Sequence, residues 1–241
     1  MQYKHCHNDN FEDFASGRII LHKSGFPNFP VRLAQEIFCR CLSYLKIKTN
    51  ICVYDPCCGS GYMLTVIGLL NFNLLETIAC SDCSNEALDA AEQNLNLLTT
   101  SGINERVNHL QTLYQQFNKT SHLQAIESAQ TLLKCINEEH KIKTITFNAN
   151  ILNSNVLEDK KFKADIVFTD IPYDNMVSWQ KKDEHDTNNL LENLLPVIKP
   201  SSIIAICSNK QQRIQSDKYI RLEKQQIGKR KFEIFTLSKE R

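Results

Sequence analysis

The sequence lacks the features of a membrane-spanning, secreted or bulk-charge nucleic-acid-binding protein. No apolar run reaches the ~18 residues that a membrane-spanning helix needs. Residues 1–7 contain no apolar stretch of the secretory-signal kind, so we expect a protein of the cytoplasm. Net charge is also lacking, because 28 Lys and Arg residues face 27 Asp and Glu residues, which excludes binding of nucleic acid by bulk positive charge alone. The 241 residues are ample for a sizeable α/β core.

A complete metal-binding pattern is missing as well. One pair among the ten cysteines, Cys80 and Cys83, has the spacing of half a zinc site, but no second pair follows. Several cysteines lie within apolar runs typical of strands, where a reduced thiol packs as a small hydrophobic side chain. Because we expect a reducing compartment, the sequence predicts free thiols and no metal site.

Charge is unevenly spread along the chain. Residues 199–241 carry seven more basic than acidic side chains, whereas the rest of the chain is acidic. The basic residues concerned include Lys210, Arg213, Lys218, Arg221, Lys224, Lys229, Arg230 and Lys231. They form a candidate basic face, although the solvated sides of edge elements would give the same pattern.

Short apolar segments alternate with helical patterns through most of the chain. A turn-rich stretch at residues 25–30 precedes a helix predicted over 31–45, with Pro30 near its first turn. Further helices are predicted over 62–70, 85–98, 104–117 and 121–139, and Ser84 is the expected N-cap of the helix over 85–98. Strands are predicted over 51–54, 77–81, 144–147, 166–169, 203–207 and 232–237. This alternation favours an α/β fold with helices on both faces of a doubly wound sheet.

The strongest local signal follows the first predicted strand and precedes a helix. It is the segment Asp55-Pro56-Cys57-Cys58-Gly59-Ser60-Gly61. Glycines let a backbone turn tightly and approach a ligand, and a helix N-terminus presents amide donors. The segment lacks the third small residue of the dinucleotide fingerprint and the Lys-Ser/Thr ending of a P-loop. An acidic residue ahead of such a turn is the pattern of S-adenosylmethionine-dependent methyltransferases, and an ordinary glycine turn is the alternative.

An acidic residue stands at the distance that a nucleoside site requires. Asp82 ends the second predicted strand, 21 residues after Gly61. Rossmann-like sites place a carboxylate about 20 residues on, where it accepts hydrogen bonds from ribose hydroxyls. Asp82 is therefore the predicted ribose ligand, although such a residue can also cap the helix that follows.

A third segment combines an acidic residue with a rigid turn and an aromatic ring. Asp170-Ile171-Pro172-Tyr173 follows a hydrophobic strand and is similar to the (D/N)-P-P-Y loop of methyltransferases that modify planar nitrogens. The Asp170 carboxylate can accept a proton from such a nitrogen, and the Tyr173 ring can stack on the base. A plain strand-end turn is the alternative. The loop contains no Pro-Cys, which argues against a cysteine nucleophile acting on pyrimidine C5.

Together these segments resemble the avilamycin-resistance rRNA methyltransferase family (AviRa-like). The resemblance covers nearly the whole chain, including two helices between residues 101 and 139 that a minimal methyltransferase lacks. The matching segments are Phe26-Pro27-Asn28-Phe29-Pro30-Val31-Arg32-Leu33-Ala34, residues 55–61, Asn94-Leu95-Asn96-Leu97-Leu98, residues 169–173, Trp179 and Ile227-Gly228. The segment from Phe26 is far more specific than the glycine turn, which many enzymes share.

The resemblance implies a fold, a reaction and a set of site residues. The fold is a Rossmann-like seven-stranded sheet whose last strand is antiparallel. The methyl donor is S-adenosylmethionine, the acceptor is a guanine base of 23S rRNA at N1, and resistance to orthosomycin antibiotics such as avilamycin would follow. The candidate catalytic residues are Asp170, Pro172 and Tyr173. The candidate cofactor contacts are Asp55, Pro56, Cys57, Gly59, Ser60, Gly61, Asp82, Cys83, Asn150, Ile151 and Asp170. The candidate RNA contacts are Arg32, Trp179, Lys229 and Arg230.

The resemblance also implies an organisation of the chain and its partners. Residues 1–50 are expected to form an N-terminal arm and helix packed on a methyltransferase domain of residues 51–241. Residues 101–139 are expected to be a helical insertion after the helix of the second strand. The expected partner is 23S rRNA or the large ribosomal subunit, and the expected state is a monomer.

Two positions depart from the family pattern and leave alternatives open. Asn150 stands where the family has an acidic residue, so a bond from its side-chain oxygen to the adenine amino group would lack charge assistance. Asp174 stands where the family tends to have glycine, which puts a carboxylate near a phosphate-bearing substrate. One alternative is an enzyme that methylates guanine N2 or adenine N6. Another is a catalytically weak relative that binds RNA or assists ribosome assembly.

Overall fold

A seven-stranded sheet runs through the protein. The structure is a computed structural model that describes residues 1–15, 17–24, 28–172 and 184–238. The strands are β1 (Ile51–Asp55), β2 (Leu75–Asp82), β3 (Lys143–Asn148), β4 (Ala164–Asp170), β5 (Ile198–Asn209), β6 (Tyr219–Ile227) and β7 (Arg230–Leu237). Their order is β3-β2-β1-β4-β5-β7-β6, and within this described sheet β7 runs opposite in direction to the other six strands. The seven-stranded sheet with an antiparallel last strand is therefore confirmed.

The described residues also form six α-helices, five of which the sequence predicts. They are α1 (Val31–Tyr44), α2 (Tyr62–Leu70), α3 (Asn85–Asn96), α4 (Thr100–Phe117), α5 (Thr120–Cys135) and α6 (Glu184–Leu194). The predicted ends of the first five lie within four residues of the observed ends. Ser84 caps α3 as predicted, because its hydroxyl accepts a hydrogen bond from the Ala87 N–H at 3.2 Å.

Two elements, β6 and α6, are missing from the sequence prediction. β6 is an edge strand whose exposed side chains are mostly polar, and its register with β7 shifts between Arg221 and Glu223. That shift interrupts the two-residue period by which strands are recognised. In α6 the sequence is largely polar, although Leu190, Leu191 and Leu194 are buried.

Each face of the sheet has its own hydrophobic core. Val53 and Ile166 pack on the face that α1 to α5 cover, whereas Tyr54 and Val167 pack on the face that α6 covers. Because β1 and β4 are buried on both faces, they are continuous apolar runs in the sequence. Both strands end in an aspartate at the same edge of the sheet, so two acidic side chains lie at this edge.

A buried carboxylate holds the N-terminal arm on α1. Glu36 is fully buried, and its oxygens accept the backbone N–H groups of Lys4, His5 and Cys6, each at 2.8 Å. Burial by itself raises the pKa of Glu36, but these bonds and the bond from Arg40 outweigh it and hold the pKa below its usual range. Residues 4–6 of the arm are therefore held against α1.

Three further observations concern the described residues as a whole. None of their helices is long and apolar enough to cross a membrane. All ten cysteines are described, and each is a free thiol. Within the described ranges, no group of three or more His, Cys, Asp or Glu side chains is arranged to hold a metal ion.

Candidate active site

The glycine turn after β1 is built so that only glycine fits at its end. Gly59 and Gly61 have positive φ angles of 51° and 69°, and Gly61 is the N-cap of α2. A Cβ atom on Gly61 would lie 3.0 Å from both the Cα and the Cβ atoms of Ala91 on α3. The backbone between β1 and α2 thus passes close to α3 and carries no side chain at the helix start.

Asp82 ties this turn to the end of β2. Its carboxylate accepts the Gly59 N–H at 2.9 Å and the Ser84 N–H at 3.0 Å. Each carboxylate oxygen has two acceptor positions, so both oxygens keep capacity for a ligand. Asp82 is half-buried at the sheet edge, which leaves it accessible to a ribose. Its position therefore fits the predicted role and adds a structural one.

Asn94 is a site residue that the sequence analysis does not identify. It is fully buried on α3, and its side-chain amide donates to the Ser60 carbonyl oxygen at 2.9 Å. The same amide pairs with the backbone of Leu21 in the arm, accepting its N–H at 2.8 Å and donating to its carbonyl oxygen at 3.2 Å. Asn94 therefore joins the arm to the glycine turn. The available signal is a polar residue on the apolar face of a helix, which requires partners when buried.

Residues 170–172 at the end of β4, called the Asp170 loop below, lie next to the glycine turn, because β1 and β4 are paired neighbours. Asp170 is half-buried at the end of β4, and the guanidinium of Arg230 lies 3.7 Å from its carboxylate. The Ile171 N–H donates to the Cys207 carbonyl oxygen on β5 at 3.0 Å. The structure thus brings Asp170 and the glycine turn to one edge, as open α/β sheets do for their ligands. The predicted site residues Tyr173 and Trp179 lie outside the described residues.

The carboxylates of Asp82 and Asp170 give this edge a negative field, which acts on the neighbouring Asp55. Asp55 is buried at the end of β1, and burial raises its pKa to about 7. The negative charges of Asp82 and Asp170 add to this increase, whereas the hydrogen bond from the Cys57 N–H at 3.0 Å opposes it. An edge of this kind favours a positively charged ligand.

The raised pKa of Asp55 predicts a pH-dependent stability. The neutral acid is favoured in the folded protein, so its stabilisation is complete below the unfolded pKa of about 4 and is lost as pH rises through about 7. The free energy of unfolding of the wild type, relative to Asp55→Asn, should therefore fall by up to about 1.4 kcal/mol per pH unit between these values. Urea unfolding at several pH values measures it, with exposed Asp89→Asn as the control. Parallel curves for wild type and Asp55→Asn would contradict the assignment.

The end of β3 supplies further candidate cofactor contacts at the same edge. Asp82 and Asn148 are paired between β2 and β3, and Asn150 follows two residues later in an exposed turn. The Asn150 side-chain oxygen accepts the Leu152 N–H at 3.1 Å. Ile151 is buried, with its carbonyl oxygen bonded to Asn193 of α6 at 2.7 Å.

The cysteines of the turn are protonated thiols. Burial raises the pKa of Cys57 well above its usual range. A hydrogen bond with Cys80, together with burial, does the same for Cys58. Cys83 is exposed, and burial of part of its side chain and the charge of Asp82 raise its pKa. Because the thiolate is the nucleophilic form, none of these three thiols is activated.

The predicted RNA contacts fall into two kinds of environment. Lys229 is exposed at the turn between β6 and β7, next to Lys210, whose N–H donates to its carbonyl oxygen at 3.3 Å. Arg230, by contrast, is turned toward Asp170. Arg32 lies over the ring of Tyr3 at 4.0 Å and donates to the carbonyl oxygen of Cys6 at 3.3 Å, so its contacts hold the arm.

Comparisons with known proteins agree with this geometry. A family described as rRNA methyltransferase AviRa matches residues 1–230. A relative from Streptomyces viridochromogenes, named 23S rRNA (guanine(2535)-N(1))-methyltransferase, is 31% identical over 226 residues, which are 90% of this chain and 88% of the relative. The solved structure of rRNA methyltransferase AviRa from the same organism has a TM-score of 0.87 at 30% identity, covering 98% of this chain and 96% of that one. TrmN from Thermus thermophilus shares the fold alone, with a TM-score of 0.56 at 11% identity over 89% of this chain and 51% of that one. The α/β Rossmann-like fold class is confirmed.

Proposed function

The chain belongs to the rRNA methyltransferase AviRa family, and on that premise we propose that it transfers a methyl group from S-adenosylmethionine to N1 of a guanine in 23S rRNA. The curated relative carries this base and this atom in its name. The observation that carries the proposal is the juxtaposition of the glycine turn after β1 with the Asp170 loop after β4. One of these segments suits a nucleoside cofactor and the other a planar base.

Two features of the carboxyl edge support the proposed cofactor. When bound, S-adenosylmethionine supplies an electrophilic methyl group on a positively charged sulfonium. Gly59 and Gly61 carry no side chains that would keep a ligand from the backbone of the turn, and the carboxylates of Asp82 and Asp170 favour a cation. The residues proposed to contact it are Asp55, Pro56, Cys57, Gly59, Ser60, Gly61, Asp82, Cys83, Asn150, Ile151 and Asp170.

Asp170 is the proposed proton acceptor. Guanine N1 carries a proton, and that proton must leave as the nitrogen lone pair attacks the methyl group. A carboxylate at the end of β4, beside the proposed cofactor turn, is suited to accept it. Pro172 and Tyr173 are proposed to hold the plane of the extruded base, Pro172 by fixing the turn and Tyr173 by stacking. The remaining catalysis is alignment of the two reactants.

Exposed lysines beside the loop are proposed to contact RNA phosphates. Lys229 and Lys210 lie on adjacent connections at the same edge as Asp170. Arg32 and Trp179 are proposed as further contacts from the arm side and the loop side.

We further propose that the protein is a monomer of the cytoplasm, with residues 1–50 as the arm, 51–241 as the catalytic domain and 101–139 as its helical insertion.

Asp82→Ala should weaken the binding of S-adenosylmethionine by about 10- to 100-fold. The substitution removes charge-assisted acceptors for the ribose and also the bond that holds the Gly59 N–H. Titration calorimetry measures the dissociation constant. The matched control is Asp89→Ala, which removes an exposed carboxylate from α3. Unchanged affinity in Asp82→Ala would remove Asp82 from the cofactor site.

Mapping of the modified nucleotide tests the proposed reaction. The purified protein is incubated with labelled S-adenosylmethionine and with unmodified 23S rRNA, either free or in large subunits, and the RNA is then read by reverse transcription. A methyl group at guanine N1 blocks the pairing edge, so we expect label in the RNA and one new stop. Label without a stop would point instead to guanine N2 or adenine N6. Absence of label from both forms of RNA would contradict the proposal.

A further inference from the structure

The first two residues of β7 lie near the Asp170 loop and point to opposite faces of the sheet. β7 runs antiparallel to β5, with Arg230 opposite Asn209 and Lys231 opposite Ser208. Its start therefore lies at the carboxyl edge of the sheet, where β4 ends. Because successive strand residues point to opposite faces, Arg230 contacts Asp170 on one face, whereas Lys231 contacts Gln212 on the other.

On one face, Arg230 is held between a carboxylate and an aromatic ring. Its guanidinium lies 3.7 Å from the Asp170 carboxylate and 5.7 Å from the centre of the Phe29 ring. Phe29 is buried and meets Phe168 of β4 edge-on, with ring centres 5.8 Å apart. A guanidinium with a ring on one side and a carboxylate on another has little freedom to rotate. Arg230 therefore links the carboxylate of Asp170 to the aromatic side chains of the core.

On the other face, Gln212 holds the backbone of the loop. Its side-chain NH2 group donates to the Pro172 carbonyl oxygen at 3.3 Å, and its side-chain oxygen accepts the Asn209 N–H at 2.9 Å. Because a backbone N–H can only donate, the amide oxygen must face Asn209 and the NH2 group must face Pro172. The orientation of the Gln212 side chain is thus determined by its partners.

A buried ion pair supports Gln212 in turn. The Lys231 ammonium donates to the backbone carbonyl oxygen of Gln212 and lies 2.6 Å from the carboxylate of Glu233. Lys231 and Glu233 are 4% and 1% exposed, and Arg221 of β6 contacts Glu233 at 2.8 Å. Charges so deeply buried persist only when they are paired. A polar path therefore runs from β6 through β7 to the Asp170 loop.

We propose that Arg230 and Gln212 are positioning residues for methyl transfer, Arg230 orienting the Asp170 carboxylate and Gln212 fixing the Pro172 carbonyl group. The inference rests on the proposed function, because it takes Asp170 as the proton acceptor. A displacement of about 1 Å at a reacting group can cost about 10²-fold in rate, so such supports matter. Consecutive residues of one hairpin then have different tasks, with Lys229 facing RNA and Arg230 facing the loop.

Steady-state kinetics separate positioning from RNA binding. Arg230→Met and Gln212→Met should lower kcat by about 10- to 100-fold and change the KM for rRNA by less than about threefold. Arg230→Lys should recover part of the loss. Lys229→Gln should instead raise KM and lower the slope of log affinity against log salt concentration by about 0.7 to 0.9. Exposed Lys224→Met on β6 is the control for loss of a positive charge.

A double-mutant cycle tests whether Arg230 acts through Asp170. In an Asp170→Asn background, Arg230→Met should cause little further loss of kcat, because the group that Arg230 orients is already gone. Independent, multiplicative losses would indicate a general structural effect and would overturn the assignment of Arg230.

Hydrogen exchange provides a readout that needs no activity. The Ile171 N–H, bonded to Cys207, should exchange about 10-fold faster in Arg230→Met and Gln212→Met but not in Lys224→Met. Unchanged exchange together with unchanged kcat would overturn the proposal. A raised KM with an altered salt slope in Arg230→Met would overturn it in favour of an RNA contact. Failure of the wild type to methylate rRNA contradicts the proposed function alone, since the exchange rates still test the support of the loop.

Discussion

Alanine in place of Asp170 should lower the rate of a single methyl transfer at least about 10²-fold. The substitution removes the group proposed to accept the guanine N1 proton, and water at this edge is a weaker and less well-placed acceptor. Single-turnover measurements with enzyme in excess isolate this step from product release. The affinity for S-adenosylmethionine should fall by less than in Asp82→Ala, because Asp170 is one proposed contact among several, whereas the glycine turn and Asp82 carry most of that binding.

Two further variants serve as comparisons for Asp170→Ala. Asp170→Asn keeps the size of the side chain but lacks an ionised acceptor, so it should be nearly as slow as Asp170→Ala. Asp89→Ala removes a carboxylate from the exposed side of α3 and should leave the rate unchanged. Undiminished transfer in Asp170→Ala would exclude Asp170 as the proton acceptor and would leave the loop with a binding role only.

Alanine in place of Gly61 should destabilise the protein by about 2 to 5 kcal/mol. A residue with a Cβ atom at a positive φ costs about 1 to 2 kcal/mol, and forcing extra volume into a packed contact costs about 1 to 3 kcal/mol more. Both costs apply, because Gly61 has a φ of 69° and its Cβ atom would lie 3.0 Å from the backbone of Ala91. Urea unfolding measures the loss of free energy. Cofactor affinity should fall as well, because the added Cβ atom must displace either α3 or the backbone of the turn.

Gly228→Ala is the matched control for this effect. Gly228 has a φ of 56°, but no atom lies within 4 Å of the Cβ that alanine would add. Only the backbone cost of about 1 to 2 kcal/mol should therefore apply. Equal losses in the two variants would contradict a close approach between the glycine turn and α3.

The order of the elements other than β6 and α6, and the three motifs, could be predicted because local sequence determines them. β1 and β4 are uninterrupted apolar strands, and each ends in an aspartate that the pattern identifies directly. Ser84 was identifiable as a cap from its place ahead of a helical period. The parallel arrangement then brings the two strand ends to one edge without further information.

The remaining features depend on contacts that are distant in sequence. Arg230 and Lys229 are adjacent basic residues in the chain, and only the pairing of β7 with β5 shows that one contacts Asp170 while the other is exposed. Gln212 carries no signal at all, because a glutamine after a strand is typical of a loop. Asn94 joins segments 73 and 34 residues away, which no local pattern encodes.

The proposed cofactor site is best tested by a crystal structure of the protein with S-adenosylhomocysteine bound. We expect density for the ligand over the turn from Gly59 to Gly61, with its ribose hydroxyls at Asp82 and its sulfur facing the Asp170 loop. Density at any other place on the protein, or a carboxyl edge filled by side chains of the chain itself, would show that the proposed site is wrong.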